Sequence, residues 1–216
     1  MLAIAHRTPS TAPECARLAG LGVTHFEVDL QFVAGAPVVS HYLPPLAALP
    51  RLRHDGWRFT LRARTAAEQD LAAVLDRVPA ECGVLVDLKS EDPDSARALV
   101  ELLRDSGRPA GGWYVSAKSV DALAVVIAAG YPGWLSVDTR PAFVAALNGQ
   151  LPPGLDAVTV RHTFLDGNAV ARIQAHQPRV LAWTVNKTWR LQELAGYGIT
   201  GVTSDDPDVL AAAATR

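Results

Sequence analysis

Cysteines, clusters of basic residues and long apolar runs are all scarce in this chain of 216 residues. The formal net charge is −2, the pI is about 6.3, and no run of Lys and Arg occurs. A basic patch is what holds a protein to the phosphate backbone of nucleic acid. We therefore expect no nucleic-acid partner.

The chain has two cysteines, Cys15 and Cys82, and they do not form a CxxC pair. Such low cysteine usage is most simply reconciled with a reducing compartment, and we expect the cytoplasm. The sequence leaves a single disulfide between the two residues open.

No segment predicts a membrane anchor or a leader. The most apolar stretch, residues 119–137, contains Asp121, Gly130 and Pro132, so it falls short of the ~20 apolar residues of a spanning helix. At the amino terminus, "MLAIA" runs at once into His6 and Arg7, with no basic region before a long apolar core. We expect neither a transmembrane segment nor a signal peptide.

What the chain does have is the composition of a globular domain, with 49% hydrophobic and 19% charged residues. No linker rich in Pro, Gly or Ser divides it, and no low-complexity tract occurs. We expect one domain over residues 1–216.

Short β-branched runs alternate with Ala/Leu-rich segments at helical spacing, which is typical of βα units around a parallel sheet. The candidate strands are "LAIAH", "THFEVDL", "RFTLRAR", "GVLVDLK", "GWYVSA", "GWLSVDT", "AVTVRH", "RVLAWTV" and "GVTSD". We expect "APVVSH" to continue strand two or bend back beside it, and one of the nine candidates to be peripheral. The eight remaining βα repeats predict an α/β fold, a (β/α)8 TIM barrel. A doubly wound sheet would carry a glycine fingerprint after strand one, and "AHRTPSTAPE" has no glycine.

Polar residues cluster where the predicted strands end, which is where barrels build their active sites. Glu27 and Asp29 stand two apart in one strand, so their side chains share a face. Val28 and Leu30 alternate with the two acids and are expected to face the surrounding helices, so the carboxylates should point into the barrel. The other candidates at strand ends are His6, Arg7, His41, Asp87, Lys89 and Trp183.

Three acids gathered in a barrel mouth would repel one another unless a cation joined them. An all-oxygen ligand set of Glu27, Asp29 and Asp87 favours Mg²⁺ or Ca²⁺. The alternative is that Asp87 with Lys89, or Glu27 with Arg7, forms a structural ion pair.

Two histidines beside a metal and two cations suit the cleavage of a phosphodiester. The cations offset the charge of the transition state, one histidine removes a proton from the nucleophile, and the other protonates the leaving oxygen. His6 and His41 are the candidates, since they flank the acids from opposite sides.

Seven motifs, in this order, resemble the glycerophosphodiester phosphodiesterase family: "IAHR", "PE", "FEVDLQ", "VVSH", "VDLK", "LAWTVN" and "GVTSDDPD". The resemblance implies a metal-dependent (β/α)8 barrel of lipid metabolism that hydrolyses small-molecule glycerophosphodiesters to an alcohol and glycerol 3-phosphate. It gives roles to eight residues: His6 and His41 as the acid/base pair, Glu27, Asp29 and Asp87 as metal ligands, Arg7 and Lys89 as phosphate-binding groups, and Trp183 as a wall of the glycerol or alcohol side.

The chain departs from the family pattern at four positions. Thr8 replaces Gly, Cys15 replaces Asn, Tyr42 replaces Asp, and Asp87 replaces Glu. The segment after His41 is also shorter than in the family, which predicts a shallow, open site and leaves the natural substrate undefined.

Two further hypotheses remain. A metal-independent, phospholipase C-like phosphodiesterase would also use two histidines in a barrel, but it would lack the three acids. A degenerate barrel would bind a phosphate-containing ligand or a partner without turnover. A sugar-phosphate isomerase is disfavoured because the last loop reads "TSDDPD" rather than a glycine-rich phosphate cradle.

Overall fold

The computed structural model describes residues 1–33, 35–40, 51–55, 58–62 and 71–216, and for 51–55 and 58–62 it describes the backbone alone. The strands, in chain order, are β1 (Leu2–Ala5), β2 (His25–Val33), β3 (Ala36–Val39), β4 (Arg51–Asp55), β5 (Arg58–Arg62), β6 (Gly83–Leu88), β7 (Trp113–Ala117), β8 (Gly133–Val137), β9 (Ala157–Arg161), β10 (Val180–Trp183) and β11 (Gly201–Ser204). The helices are α1 (Ala12–Gly20), α2 (Leu71–Leu75), α3 (Pro93–Asp105), α4 (Val120–Ala128), α5 (Arg140–Leu147), α6 (Gly167–Gln174), α7 (Thr188–Gly196) and α8 (Pro207–Ala214).

Eight parallel strands close into a barrel, which confirms the predicted (β/α)8 fold. Around the barrel the order is β1, β11, β10, β9, β8, β7, β6, β2, and the pairing of β2 with β1 closes the ring. Strand β3 lies antiparallel to β2, with Leu30 opposite Val39, so the described part of "APVVSH" does bend back beside strand two. The peripheral candidate is "RFTLRAR", because β5 pairs with β4 in a separate two-stranded sheet.

Side-chain caps explain why the helices begin where they do. Asp92, Ser119, Thr139 and Asp166 each accept a hydrogen bond from a backbone amide in the first turn of the helix that follows. Among the described residues, no helix is long and apolar enough to cross a membrane.

Alternation along the strands divides the barrel interior into an apolar floor and a polar mouth. The floor consists of Ile4, Leu85, Trp134, Ala157 and Leu181, which form a core cluster of their own. In the next inward-facing layer toward the carboxyl ends of the strands, the buried residues are polar: Glu27, Ser116, Ser136, Thr159 and Thr203. The outward positions of the same strands, Val28 and Leu30 among them, pack in the larger core between barrel and helices. Apart from His25, whose ring contacts Tyr114 and Trp134 in the floor, the buried polar groups of the interior therefore collect at one end.

Cys15 and Cys82 are both buried, free thiols, which resolves the disulfide question that the sequence left open. Burial raises the pKa of Cys15 to about 11. This thiol therefore stays protonated and packs as a small apolar side chain.

Candidate active site

Three carboxylates meet at the carboxyl end of the barrel. Glu27 and Asp29 come from β2 and Asp87 from the neighbouring β6, where Asp29 and Asp87 stand directly opposite each other in the register. One oxygen of each lies within 4.8 Å of the others. Glu27 and Asp29 are each only 4% exposed, so two of the three acids are shielded from solvent.

Lys89 supplies the first positive charge in this cluster. Its Nζ atom lies 2.7 Å from Asp29 Oδ1 and forms a second ion pair with Asp87 Oδ2. Burial alone would lower the pKa of Lys89, but the charges of the surrounding acids outweigh burial and raise the pKa above its ordinary value. The ammonium therefore stays charged between two of the three acids.

Arg7 reaches the same acids by two routes. Its guanidinium Nε lies 3.2 Å from Asp29 Oδ2, and its backbone amide donates to Glu27 Oε2 at 2.7 Å. The amide is aimed by a left-handed backbone with φ of 56°, a conformation that costs a non-glycine residue ~1 kcal/mol or more. The predicted contact between Arg7 and Glu27 thus exists, but it runs through the main chain rather than through a side-chain ion pair.

The charges of this cluster do not cancel. Burial, and then the like charges of Asp29 and Asp87, raise the pKa of Glu27 well above its ordinary value. Lys89 and Arg7 offset two of the three acids, and the raised pKa shows that a third negative charge, on Glu27, is unfavourable unless a further cation joins it. Ionisation of Glu27 and binding of a cation therefore favour each other.

His6 follows β1 at the edge of the same mouth and is held by Asp205, which follows β11. The His6 Nδ1 atom lies 2.8 Å from Asp205 Oδ1, and Asn186 Nδ2 donates to the other oxygen, Asp205 Oδ2, at 2.8 Å. Burial acts to raise the pKa of Asp205, but the hydrogen bonds and the charge of His6 prevail and lower it. An ionised Asp205 can only accept, so Nδ1 of His6 carries the proton and Nε2 remains for chemistry.

Sequence reasoning missed Asp205, which it treated only as a group that would repel phosphate. Part of the signal was present in the barrel order, because the first and last strands of a closed barrel are neighbours. The register, in which Ala5 pairs with Ser204, comes from the structure and puts the next residues along, His6 and Asp205, side by side.

Ser116 is the second residue that sequence reasoning missed. It stands opposite Asp87 in the pairing of β6 with β7, and its hydroxyl donates to Asp87 Oδ1 at 2.8 Å. This bond orients the carboxylate that is one methylene shorter than the glutamate of the family pattern.

The other departures from the family pattern fall on both described and undescribed residues. Thr8 binds the Glu27 carbonyl oxygen twice, through its amide at 2.8 Å and its hydroxyl at 2.9 Å. Cys15 is buried in α1. His41 and Tyr42 lie outside the described residues. Ser40, which precedes them, is buried, and its amide donates to the Asp29 carbonyl oxygen at 3.0 Å.

Trp183 is the last residue of β10 and shares the inward-facing side of that strand with Leu181. It is half-buried, and its indole N–H is buried without a hydrogen-bond partner in the described part of the chain. The structure therefore puts Trp183 at the mouth, with an indole N–H that no described group accepts.

The acid cluster fits a divalent cation by its chemistry. Its ligand atoms are three carboxylate oxygens, and the like charges of Asp29 and Asp87 make an ionised Glu27 unfavourable without added positive charge. Carboxylate oxygens are the ligands that both Ca²⁺ and Mg²⁺ prefer, and Ca²⁺ tolerates the more irregular arrangement of the two. The candidate ligands are Glu27, Asp29 and Asp87.

The architecture and this mouth define the class of protein: a TIM barrel with an acidic, cation-attracting site where barrel enzymes have their active sites. No protein-family model matches the chain, and no curated protein matches it significantly in sequence. Solved structures, in contrast, match over nearly the whole chain.

Three of these structures are named phosphodiesterases, and two of the three carry the family name predicted from the motifs. A phosphodiesterase from Oleispira antarctica, solved with the product sn-glycerol-3-phosphate, is 22% identical with a TM-score of 0.70, over 100% of this chain and 97% of that one. A protein from Agrobacterium tumefaciens, provisionally named a glycerophosphoryl diester phosphodiesterase, is 18% identical with a TM-score of 0.74, over 100% and 98%. The glycerophosphodiester phosphodiesterase from Thermotoga maritima is 18% identical with a TM-score of 0.68, over 98% of each chain. At these identities the likeness establishes a shared fold.

Proposed function

We propose that this protein is a metal-dependent phosphodiester hydrolase that cleaves glycerophosphodiesters to an alcohol and glycerol 3-phosphate. The observation that carries the proposal is the meeting of three elements at one barrel mouth: the Glu27, Asp29 and Asp87 cluster, two cations, and the His6–Asp205 pair. The product complex of the Oleispira antarctica phosphodiesterase supports the substrate class. Two free thiols suit a reducing compartment, so we assign the protein to the cytoplasm.

In this proposal Glu27, Asp29 and Asp87 hold Mg²⁺ or Ca²⁺. The ion supplies positive charge to the phosphate oxygens as negative charge develops on them. Arg7 and Lys89 add to that charge from the protein and fix the orientation of the phosphate. Trp183 closes the far side of the pocket and offers its indole N–H to a substrate oxygen.

Proton transfer falls to histidine. Hydrolysis breaks the bond between phosphorus and the oxygen of the leaving alcohol, so the nucleophile must lose one proton and the leaving oxygen must gain one. His6 carries out one of the two transfers through Nε2, since Asp205 holds its Nδ1–H. His41 carries out the other.

The test is a coupled assay for glycerol 3-phosphate with glycerophosphoethanolamine as substrate, in Mg²⁺ or Ca²⁺. We expect His6→Ala and His41→Ala each to lower kcat by ~10²–10⁴-fold. His176→Ala is the matched control, because His176 is exposed and lies just beyond α6, away from the mouth. Near-full rates in both His6→Ala and His41→Ala would overturn the acid/base assignment. Phosphate binding without any turnover would favour the degenerate barrel.

One observation favours a second candidate, a metal-independent phosphodiesterase. The Lys89 ammonium already contacts two of the three acids, so it could serve as the cation of the site. A chelator separates the two candidates: activity that survives exhaustive EDTA treatment and is not increased by added Mg²⁺ or Ca²⁺ supports the metal-independent reaction.

A further inference from the structure

The barrel order sets one residue directly across the mouth from the acid cluster. Counted in either direction around the ring, β9 is four strands from β2, and β10 is four strands from β6. The last residues of β9 and β10, Arg161 and Trp183, stand opposite each other in the register of that strand pair. Arg161 therefore lies across the mouth from Asp29 and Lys89, where the far end of a substrate bound at those residues can reach it.

Arg161 differs from Lys118 and Arg140, two other cations on its half of the mouth. Lys118 Nζ forms an ion pair with Asp138 at 2.5 Å, and the Arg140 guanidinium lies 4.9 Å from the centre of the Phe164 ring. Arg161 is exposed and, within the described residues, forms no ion pair. Alternation with Ala157, which lies in the barrel floor, puts its side chain on the mouth side of β9.

The backbone that carries Arg161 is held firmly. The next residues form a short turn, and Arg190 of α7, itself only 9% exposed, donates to the carbonyl oxygens of both His162 and Leu165. Because the backbone is fixed at a strand end and a turn, binding an anion restricts only the side chain of Arg161. Arg161 is thus presented to the mouth from a fixed position.

We propose that Arg161 recognises an anionic group on the leaving alcohol, so that the preferred substrates are glycerophosphodiesters whose alcohol carries a carboxylate or a second phosphate. This inference rests on the proposed function. Glycerol is neutral, and the substrate phosphate is bound on the opposite side of the mouth. An arginine on the opposite side of the mouth from that phosphate therefore serves the distal end of the substrate, where a planar guanidinium matches a carboxylate or a phosphate.

The test compares glycerophosphoserine with glycerophosphoethanolamine, because the two alcohols differ by a single carboxylate. The quantity measured is the ratio of kcat/KM for the serine diester to that for the ethanolamine diester. We expect Arg161→Gln to lower this ratio by about tenfold, mainly through KM for the serine diester. Arg161→Glu should lower it further, and Arg161→Lys should retain part of it.

The matched control is Arg104→Gln. Arg104 is an exposed arginine in the last turn of α3, paired with Glu101, and the ratio should not change. If the protein hydrolyses both diesters and Arg161→Gln leaves the ratio as in the wild type, this inference is wrong while the proposed function stands. If the wild type hydrolyses neither diester with either metal, both are overturned.

Discussion

Removing the Lys89 ammonium should make the protein less stable without metal and more responsive to metal. Lys89 is 19% exposed and pairs with the buried Asp29 and with Asp87. Loss of one partner of a buried ion pair costs ~3–5 kcal/mol, and the partial exposure of Lys89 and Asp87 reduces this to ~2–3 kcal/mol. For a chain of this size we expect Lys89→Met to lower Tm by ~5–10 °C in EDTA.

A bound divalent ion should reverse the loss. An ion ~2.4 Å from the carboxylate oxygens would stand about 5 Å from an ammonium that contacts the same oxygens. Even with the full screening of water, charges of +2 and +1 at that separation repel by ~1.7 kcal/mol. Lys89→Met should therefore lower the Kd for Ca²⁺ by about tenfold.

The assay is thermal unfolding, with and without Ca²⁺ or Mg²⁺, of the wild type, Lys89→Met and Lys118→Met. Lys118 pairs with Asp138 at the same mouth but outside the acid cluster, and it is 48% exposed. We expect its loss to cost less than ~1 kcal/mol and to leave the response to metal unchanged. The reasoning is refuted if metal raises the Tm of Lys89→Met by no more than it raises that of the wild type.

Three further outcomes follow from individual contacts. Asp205→Asn should lower kcat by ~10²-fold or more, because Asn can donate to Nδ1 of histidine and so favour the wrong tautomer; the exposed Asp208→Asn should not, and equal rates for the two would exclude the positioning role. Calorimetric titration with Ca²⁺ should show weaker binding for Asp87→Asn and equal or tighter binding for Asp87→Glu; unchanged binding in Asp87→Asn would remove Asp87 from the site. Burial lowers the pKa of His25 from 6.5 to about 4, so the unfolded chain binds protons more strongly and the free energy of unfolding falls by up to ~3 kcal/mol as the pH drops from 6.5 to 4. The free energy of unfolding, measured with urea at several pH values in this window, should depend less steeply on pH in His25→Gln than in the wild type. His176→Gln should keep the pH dependence of the wild type. The same pH dependence in His25→Gln and the wild type would contradict the assignment.

Local pattern accounts for the elements and for the direction of their side chains. The period of two in "FEVDL" sends Glu27 and Asp29 to one face and Val28 and Leu30 to the other, and the structure follows that division. The eight βα units can be predicted in the same way, because the apolar residues of each strand and helix recur with a period that is visible within a short segment. These features needed no knowledge of distant residues.

Contacts between distant strands of the closed barrel could not be predicted from local sequence pattern. His6 and Asp205 are 199 positions apart, and they meet only because β1 pairs with β11 in a particular register. Ser116 meets Asp87 through the pairing of β6 with β7, and Lys89 links Asp29 to Asp87 because β2 and β6 align these two acids. The period of a strand specifies which face a residue occupies, whereas its partner depends on strand order and register, which the packing of the whole chain determines. The sequence by itself therefore determined the types of residue at the mouth, and the tertiary structure alone decided which acid holds the histidine, which cation joins the acids, and which arginine faces them from the other side.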